Sequence, residues 1–251
     1  MLKITLVCFA ALAFFDRING HSYHLGGCPD VEPQRSFDMK KMLGIWYAIE
    51  KTDTASTCVV YNFTQTDEPN EYELVQTSQH FILKYTPIKH IYRYTGKLTV
   101  PDLSVPSKMS VNFPLSLRVS NFTIVYSDYT TSALIFTCQN LAFANRQSAT
   151  ILSRDKTLEK DTIVKLRDFL SENEIDPHDL SIVSQNNCPK PNSGTSVINI
   201  DDETLSAKSA GDVLRGAGNA IASGTEWAIH GVGTVVDKVK GNKNIEEFER
   251  V

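Results

Sequence analysis

The feature that most constrains the fold is a succession of short strand-like segments between residues 43 and 153. About eight or nine segments rich in β-branched and aromatic residues follow one another, separated by turns such as Asp67-Glu68-Pro69-Asn70. None has the apolar spacing of an amphipathic helix. Eight antiparallel strands that close into a barrel enclose room for one small ligand. We therefore predict an all-β protein built on an eight-stranded antiparallel up-and-down β-barrel.

One helix is predicted after the barrel. Between Leu158 and Leu170 the apolar residues recur at helical spacing with charged residues between them. Such a helix covers another apolar surface, here the wall of the barrel. Leu180–Val183 reads as a short further strand, and Cys188 with the proline after it ends the domain. The barrel domain is thus expected to span residues 21–190.

The first twenty residues have the pattern of a secretory signal peptide. Lys3 precedes an apolar run from Ile4 to Phe15, which is too short to span a membrane. We expect residues 1–20 to be removed, together with Cys8, and the protein to be secreted to the extracellular space. The net charge of −4 argues against a nucleic-acid partner.

The remaining cysteines predict two disulfides. An even number of cysteines in a secreted chain indicates disulfide bonding, and four residues allow three pairings. Their wide spacing contains no Cys-x-x-Cys, so we expect no metal site, and nothing in the sequence indicates a cofactor. The four residues are Cys28, Cys58, Cys138 and Cys188.

Two glycosylation sequons orient the strands that carry them. If Asn62 and Asn121 bear glycans and face solvent, alternation turns their neighbours toward the interior. An outward Cys138 does the same for Ile135 on a later strand. The interior would be apolar and aromatic with a few hydroxyls, which suits a hydrophobic small molecule with a polar group. The predicted pocket residues are Val59, Tyr61, Phe63, Phe122, Ile124, Tyr126 and Ile135.

Three motifs occur in an informative order. Gly44-Ile45-Trp46-Tyr47 opens the first strand, Ser127-Asp128-Tyr129 lies between two late strands, and Arg154 follows the last strand. This order resembles the lipocalin family, and within it the branch of apolipoprotein D and its insect relatives. The resemblance covers about residues 28–190 and departs at Ser127, where the family pattern has threonine.

The resemblance implies both a structure and a function. Gly44, Trp46, Asp128 and Arg154 would close one end of the barrel, with the guanidinium of Arg154 stacked on Trp46. It also implies that the disulfides join Cys28 to Cys138 and Cys58 to Cys188. The implied function is a secreted carrier of a small hydrophobic ligand, such as a fatty acid, sterol, retinoid, pheromone-like molecule or bilin.

Two other functions are weighed against the carrier. One lipocalin branch is an isomerase that uses a free cysteine inside the barrel, but here each mature cysteine has a proposed partner, so we do not expect an enzyme. The second is an extracellular interaction or lipid-surface protein that acts through residues 191–251. This Gly/Ala-rich extension is either disordered or an amphipathic helix that contacts a membrane or lipoprotein surface. Small residues recur in it at Gly216, Ala220, Gly224 and Ala228.

Overall fold

The computed structural model describes residues 22–80, 90–114, 119–189 and 196–200. Within these ranges the chain forms strands, two α-helices and one short 3₁₀-helix at Pro177–Asp179. The strands are β1 (Ser22–Leu25), β2 (Gly44–Thr52), β3 (Ser56–Gln65), β4 (Glu71–His80), β5 (His90–Thr99), β6 (Lys108–Asn112), β7 (Ser120–Ser127), β8 (Ser132–Asn140), β9 (Ala144–Ser153), β10 (Leu180–Ile182) and β11 (Ser196–Ile200). The helices are α1 (Met39–Met42) and α2 (Lys160–Glu172).

Strands β2 to β9 form a closed barrel. Each strand pairs antiparallel with the next along the chain, and β2 pairs both with β3 and with β9. Closure leaves no free edge between the first and last strands of the barrel. The predicted eight-stranded antiparallel barrel followed by one helix is confirmed.

Apolar side chains form two separate layers. One buried cluster collects residues from strands all around the barrel, including Trp46, Leu98 and Leu152, and therefore lines its interior. A second cluster joins the outer face of the barrel to α2 through residues such as Ile151 and Leu166. Leu152 and its neighbour Ile151 belong to different clusters, because successive side chains of a strand point to opposite faces.

Helix α2 lies on the outer wall of the barrel. Leu166 and Leu170 are buried in the outer cluster, as the helical periodicity predicts. Arg167 extends from the helix to Glu50 on β2, where two nitrogens of the guanidinium donate to the two carboxylate oxygens at 2.9 and 3.0 Å. Glu50 is only 5% exposed, so this ion pair fixes the helix at one register on the wall. None of the helices within the described residues has both the length and the apolar character needed to cross a bilayer.

Two disulfides join the termini of the domain to the barrel. Cys28 is bonded to Cys138 on β8, and Cys58 on β3 is bonded to Cys188. This is the pairing that the family resemblance implied. The first bond holds the N-terminal arm against the wall, and the second holds the segment that follows β10. The loops that they close span 110 and 130 residues, which restricts the unfolded chain strongly.

The beginning of the C-terminal extension belongs to the barrel wall. The composition of residues 191–251 predicts an extension outside the barrel, but β11 pairs in parallel with the first half of β5. The pairing is possible because β6 is short and covers only Lys97–Thr99 of β5. Three of the five residues of β11 are β-branched and apolar, which favours a strand. The sequence also predicts a strand at Phe81–Tyr85. That segment, the predicted signal peptide and the extension from residue 201 lie outside the described residues.

Candidate functional site

Arg154 seals one end of the barrel. Its guanidinium carbon lies 3.8 Å from the centre of the Trp46 ring, in a cation–π contact. Its nitrogens donate hydrogen bonds of 3.0–3.1 Å to four backbone carbonyls, those of Lys41, Leu43, Ile45 and Tyr129. The indole nitrogen of Trp46 donates to the carbonyl of Met42 at 2.8 Å. One side chain therefore joins the lead-in to β2, the turn after β7 and the end of β9.

Gly44 and Asp128 shape the backbone beside this seal. Gly44 has a φ of +93°, a conformation that L side chains rarely adopt, and a Cβ there would lie 3.5 Å from the Arg154 guanidinium. Asp128 accepts hydrogen bonds from the backbone amides of residues 130–132 and from the hydroxyl of Thr131. Partial burial alone would raise the pKa of Asp128, but these hydrogen bonds outweigh it and lower the pKa to about 2. The carboxylate is thus an ionised cap of the turn between β7 and β8.

The N-terminal arm covers the same end. The Gln34 amide donates to the carbonyl of Ile124, and the Ser107 hydroxyl donates to the carbonyl of Gln34 at 2.7 Å. The backbone amide of Asp38 donates to the Tyr129 hydroxyl at 3.0 Å. Residues 34–38 of the arm are therefore held against the end of the barrel that Arg154 seals.

Six of the seven predicted pocket residues lie in the interior cluster. Phe63 and Phe122 belong to strands that are not neighbours, yet their rings lie 6.2 Å apart at 70°, which is possible only across the barrel. Each of the six is at most 3% exposed. Their role as ligand contacts stays a prediction. The six are Val59, Tyr61, Phe63, Phe122, Ile124 and Ile135.

The prediction that Tyr126 faces the interior is wrong. Its ring stacks on that of Phe169 in α2 at 5.5 Å, outside the barrel. The cause is an irregularity between Ile124 and Tyr126, where the pairing of β7 with β8 shifts by one residue. Alternation counted from Asn121 fails beyond that point because a bulge reverses the facing of every later residue.

A polar group inside the barrel was not anticipated from the sequence. The ammonium of Lys51 lies 2.9 Å from the Ser148 hydroxyl, 3.4 Å from the Thr150 hydroxyl and 5.9 Å from the centre of the Tyr61 ring. Tyr94 on β5 faces the same interior as Leu98, four residues later on that strand. Burial and, to a smaller extent, its neighbour Tyr92 raise the pKa of Tyr94, so its phenol is neutral at physiological pH.

A bulge in β2 places Lys51 on the inner face. Ala48 pairs with Leu152, but the next pair is Glu50 with Ile151, so one residue of β2 is left unopposed. Simple alternation from Trp46 would point Glu50 inward and Lys51 outward. The bulge reverses this, so that Glu50 faces helix α2 and Lys51 faces the interior.

The two asparagines of the predicted glycosylation sites lie on the outer wall of the barrel. Asn121 is exposed and Asn62 is half-buried.

The chain is similar to known proteins along most of its length. Apolipoprotein D from Rattus norvegicus is 30% identical over 189 residues, which is 73% of this chain and 96% of the relative. Apolipoprotein D from Oryctolagus cuniculus is 29% identical over 195 residues, covering 76% of this chain and all of the relative. No protein-family model matches the chain.

Solved structures give the same assignment of the fold. Lobster apocrustacyanin A1 matches 66% of this chain and 93% of its own, with a TM-score of 0.55 at 17% identity. Insecticyanin from the tobacco hornworm Manduca sexta matches 70% and 93%, with a TM-score of 0.52 at 20% identity. At these identities the likeness concerns the fold alone. Together with the barrel closed by Trp46 and Arg154, the sequence relatives show that this chain belongs to the lipocalin family, as a relative of apolipoprotein D.

Proposed function

We propose that the barrel is an extracellular carrier that binds one small hydrophobic ligand in its interior. The observation that carries the proposal is the composition of the inner wall, which combines a large apolar and aromatic surface with a few hydroxyl groups and the ammonium of Lys51. Ligand pockets of soluble proteins typically have this character. The relationship to apolipoprotein D supports the same reading.

Burial of the ligand would supply the affinity. Removing apolar ligand surface from water contributes about 25 cal/mol per Å². The seal around Arg154 closes one end, so a ligand enters and leaves by the other. The rate of ligand exchange would then depend on the loops at the open end and not on the sealed end around Trp46. Fatty acids, sterols, retinoids, pheromone-like molecules and bilins are the ligand classes that we propose to test.

An oxidising extracellular environment suits the covalent structure. Disulfides persist outside the cytosol, and the two bonds here use all four cysteines from residue 28 onward. No thiol among them is available for the isomerase chemistry considered above, which supports binding without catalysis. We further propose that Asn121 and Asn62 are glycosylated, because both lie on the outer wall.

Native mass spectrometry of the protein secreted from eukaryotic cells tests the carrier function. The protein is measured before and after organic extraction, and the extracted protein is then offered each ligand class in turn. We expect an extractable adduct of a few hundred daltons and its restoration by at least one class. The reduced and unfolded chain is the control, because it retains the sequence but not the barrel. Failure of the folded protein to carry or rebind any of these molecules would refute the proposal.

Contact of the C-terminal extension with a membrane or lipoprotein surface stays a prediction. Residues 201–251 lie outside the described part of the chain, whereas β11 is part of the wall. A chain that ends at residue 200 therefore retains the barrel and separates the two functions. Under the carrier proposal this variant keeps its ligand affinity. If the only detectable activity is vesicle binding and truncation removes it, the interaction function replaces the carrier.

A further inference from the structure

The interior of the barrel contains a buried cation, the ammonium of Lys51. Lys51 is 9% exposed. Among the residues that the structure describes, no carboxylate forms an ion pair with its ammonium. The nearest carboxylate in the sequence, that of Glu50, lies on the other side of the wall in its ion pair with Arg167. Within the described ranges, Lys51 is therefore a buried lysine whose hydrogen-bond partners are all neutral.

Hydroxyl groups satisfy the ammonium only in part. Lysine has three N–H donors, and the hydroxyls of Ser148 and Thr150 accept at 2.9 and 3.4 Å. The Tyr61 ring at 5.9 Å adds a weak cation–π attraction. Neutral partners do not balance the charge, and a buried ammonium without a counter-ion is costly. Binding of an anion beside Lys51 would therefore stabilise the site.

The same groups can receive a carboxylate. An ammonium donates strong charge-assisted hydrogen bonds to carboxylate oxygens. The Ser148 and Thr150 hydroxyls can each donate to such an oxygen when they rotate away from the nitrogen, because a hydroxyl both donates and accepts. Both lie on β9, two residues apart on one face, opposite Lys51 on β2. The three side chains thus converge on one place on the inner wall.

We propose that Lys51, with Ser148 and Thr150, binds the carboxylate of an amphipathic acid whose apolar part occupies the rest of the barrel. This inference rests on the proposed carrier function and specifies its ligand class. It favours fatty acids and other carboxylates with one long apolar part over sterols, retinol and other neutral molecules. Lys51 then determines specificity, while the apolar wall supplies most of the affinity.

Two ligands of equal chain length isolate the contribution of the headgroup. Affinities for radiolabelled hexadecanoic acid and hexadecan-1-ol are measured by equilibrium dialysis at pH 7.5 with the delipidated full-length protein. We expect the acid to bind at least about tenfold more tightly than the alcohol, the effect of one hydrogen-bonded ion pair. In Lys51→Met, which preserves the length and the apolar stem of the side chain, the acid should lose this advantage while the alcohol binds as before.

Lys97→Met is the matched control. Lys97 lies on β5 with its side chain 57% exposed and pairs with Glu71 at 2.6 Å, so its loss changes the net charge equally without touching the interior. Both affinities should stay as in the wild type. Lys51→Arg should retain a preference for the acid, since it keeps the positive charge.

The outcomes separate this inference from the carrier proposal. Equal affinity of the wild-type protein for acid and alcohol overturns the inference and leaves the carrier intact. A preference for the acid that persists in Lys51→Met also overturns the inference, because a group other than Lys51 then binds the carboxylate. The wild-type comparison decides the matter even if the variant does not fold. If the wild-type protein binds neither hexadecyl ligand and none of the other ligand classes, the carrier proposal itself is refuted.

Discussion

Truncation of Arg154 should destabilise the barrel strongly, because this side chain joins three segments at the closed end. The side chain makes one cation–π contact at 3.8 Å and four hydrogen bonds to carbonyls at 3.0–3.1 Å. The stacking is worth about 1–2 kcal/mol in a half-buried site. Each hydrogen bond adds about 0.5–1.5 kcal/mol, although water can replace some of them because the guanidinium is partly exposed. We therefore expect Arg154→Ala to lower the free energy of unfolding by about 3–4 kcal/mol.

Urea unfolding with intact disulfides measures this change, followed by far-UV circular dichroism and by tryptophan fluorescence. Arg154→Lys retains the charge but not the planar group that stacks and reaches several carbonyls, so it should recover less than half of the loss. Arg35→Ala is the control, because Arg35 is 89% exposed and its pair with Glu32 should contribute under about 1 kcal/mol. A loss below about 1 kcal/mol in Arg154→Ala, or full recovery by lysine, would refute the account of the seal.

Three further changes test other parts of the structure. Asp128→Asn should lower the free energy of unfolding by about 1 kcal/mol at pH 6, after allowance for solvent screening. Because the pKa of Asp128 is lowered to about 2 in the folded protein, this difference from wild type should vanish as the pH falls from about 4 to about 2. A difference that does not depend on pH would contradict the role of the ionised cap. Gly96→Ala would place a Cβ 2.6 Å from the Phe113 ring, so the free energy of unfolding should fall by about 1–3 kcal/mol and recover in part when Phe113→Leu is added. If the effects of the two substitutions on stability simply add, the clash is not the cause. Glu50→Gln should cost about 2–3 kcal/mol by weakening the buried pair with Arg167, whereas a stability equal to wild type would show that the pair does not fix helix α2.

Much of the fold follows from local rules of the sequence. Alternation and turn residues between 43 and 153 indicate the strands, and the apolar period after Leu158 indicates the helix, observed at Lys160–Glu172. These signals are reliable because each depends on neighbours along the chain. The disulfide pairing needed the family resemblance, since four cysteines alone leave three connectivities.

The inner wall was predictable only where the strands are regular. Val59 and Phe63 face the interior as alternation predicts, whereas Tyr126 faces outward and Lys51 faces inward against that pattern. Both failures come from bulges, which shift the facing of all later residues and leave no distinctive residue pattern. Strand β11 was missed for a different reason. Its pairing with β5 depends on how short β6 is, which is a property of the assembled barrel.

Direct observation of where the ligand lies would test the central claim most sharply. The protein is labelled with ¹³C in the methyl groups of isoleucine, leucine and valine, and loaded with the unlabelled ligand recovered by extraction. Intermolecular nuclear Overhauser effects then report which methyl groups touch it. We predict contacts with interior methyl groups such as those of Val59 and Ile135, each of which is at most 1% exposed. Contacts confined to outer residues such as Leu25, which is 91% exposed, would contradict a ligand carried inside the barrel.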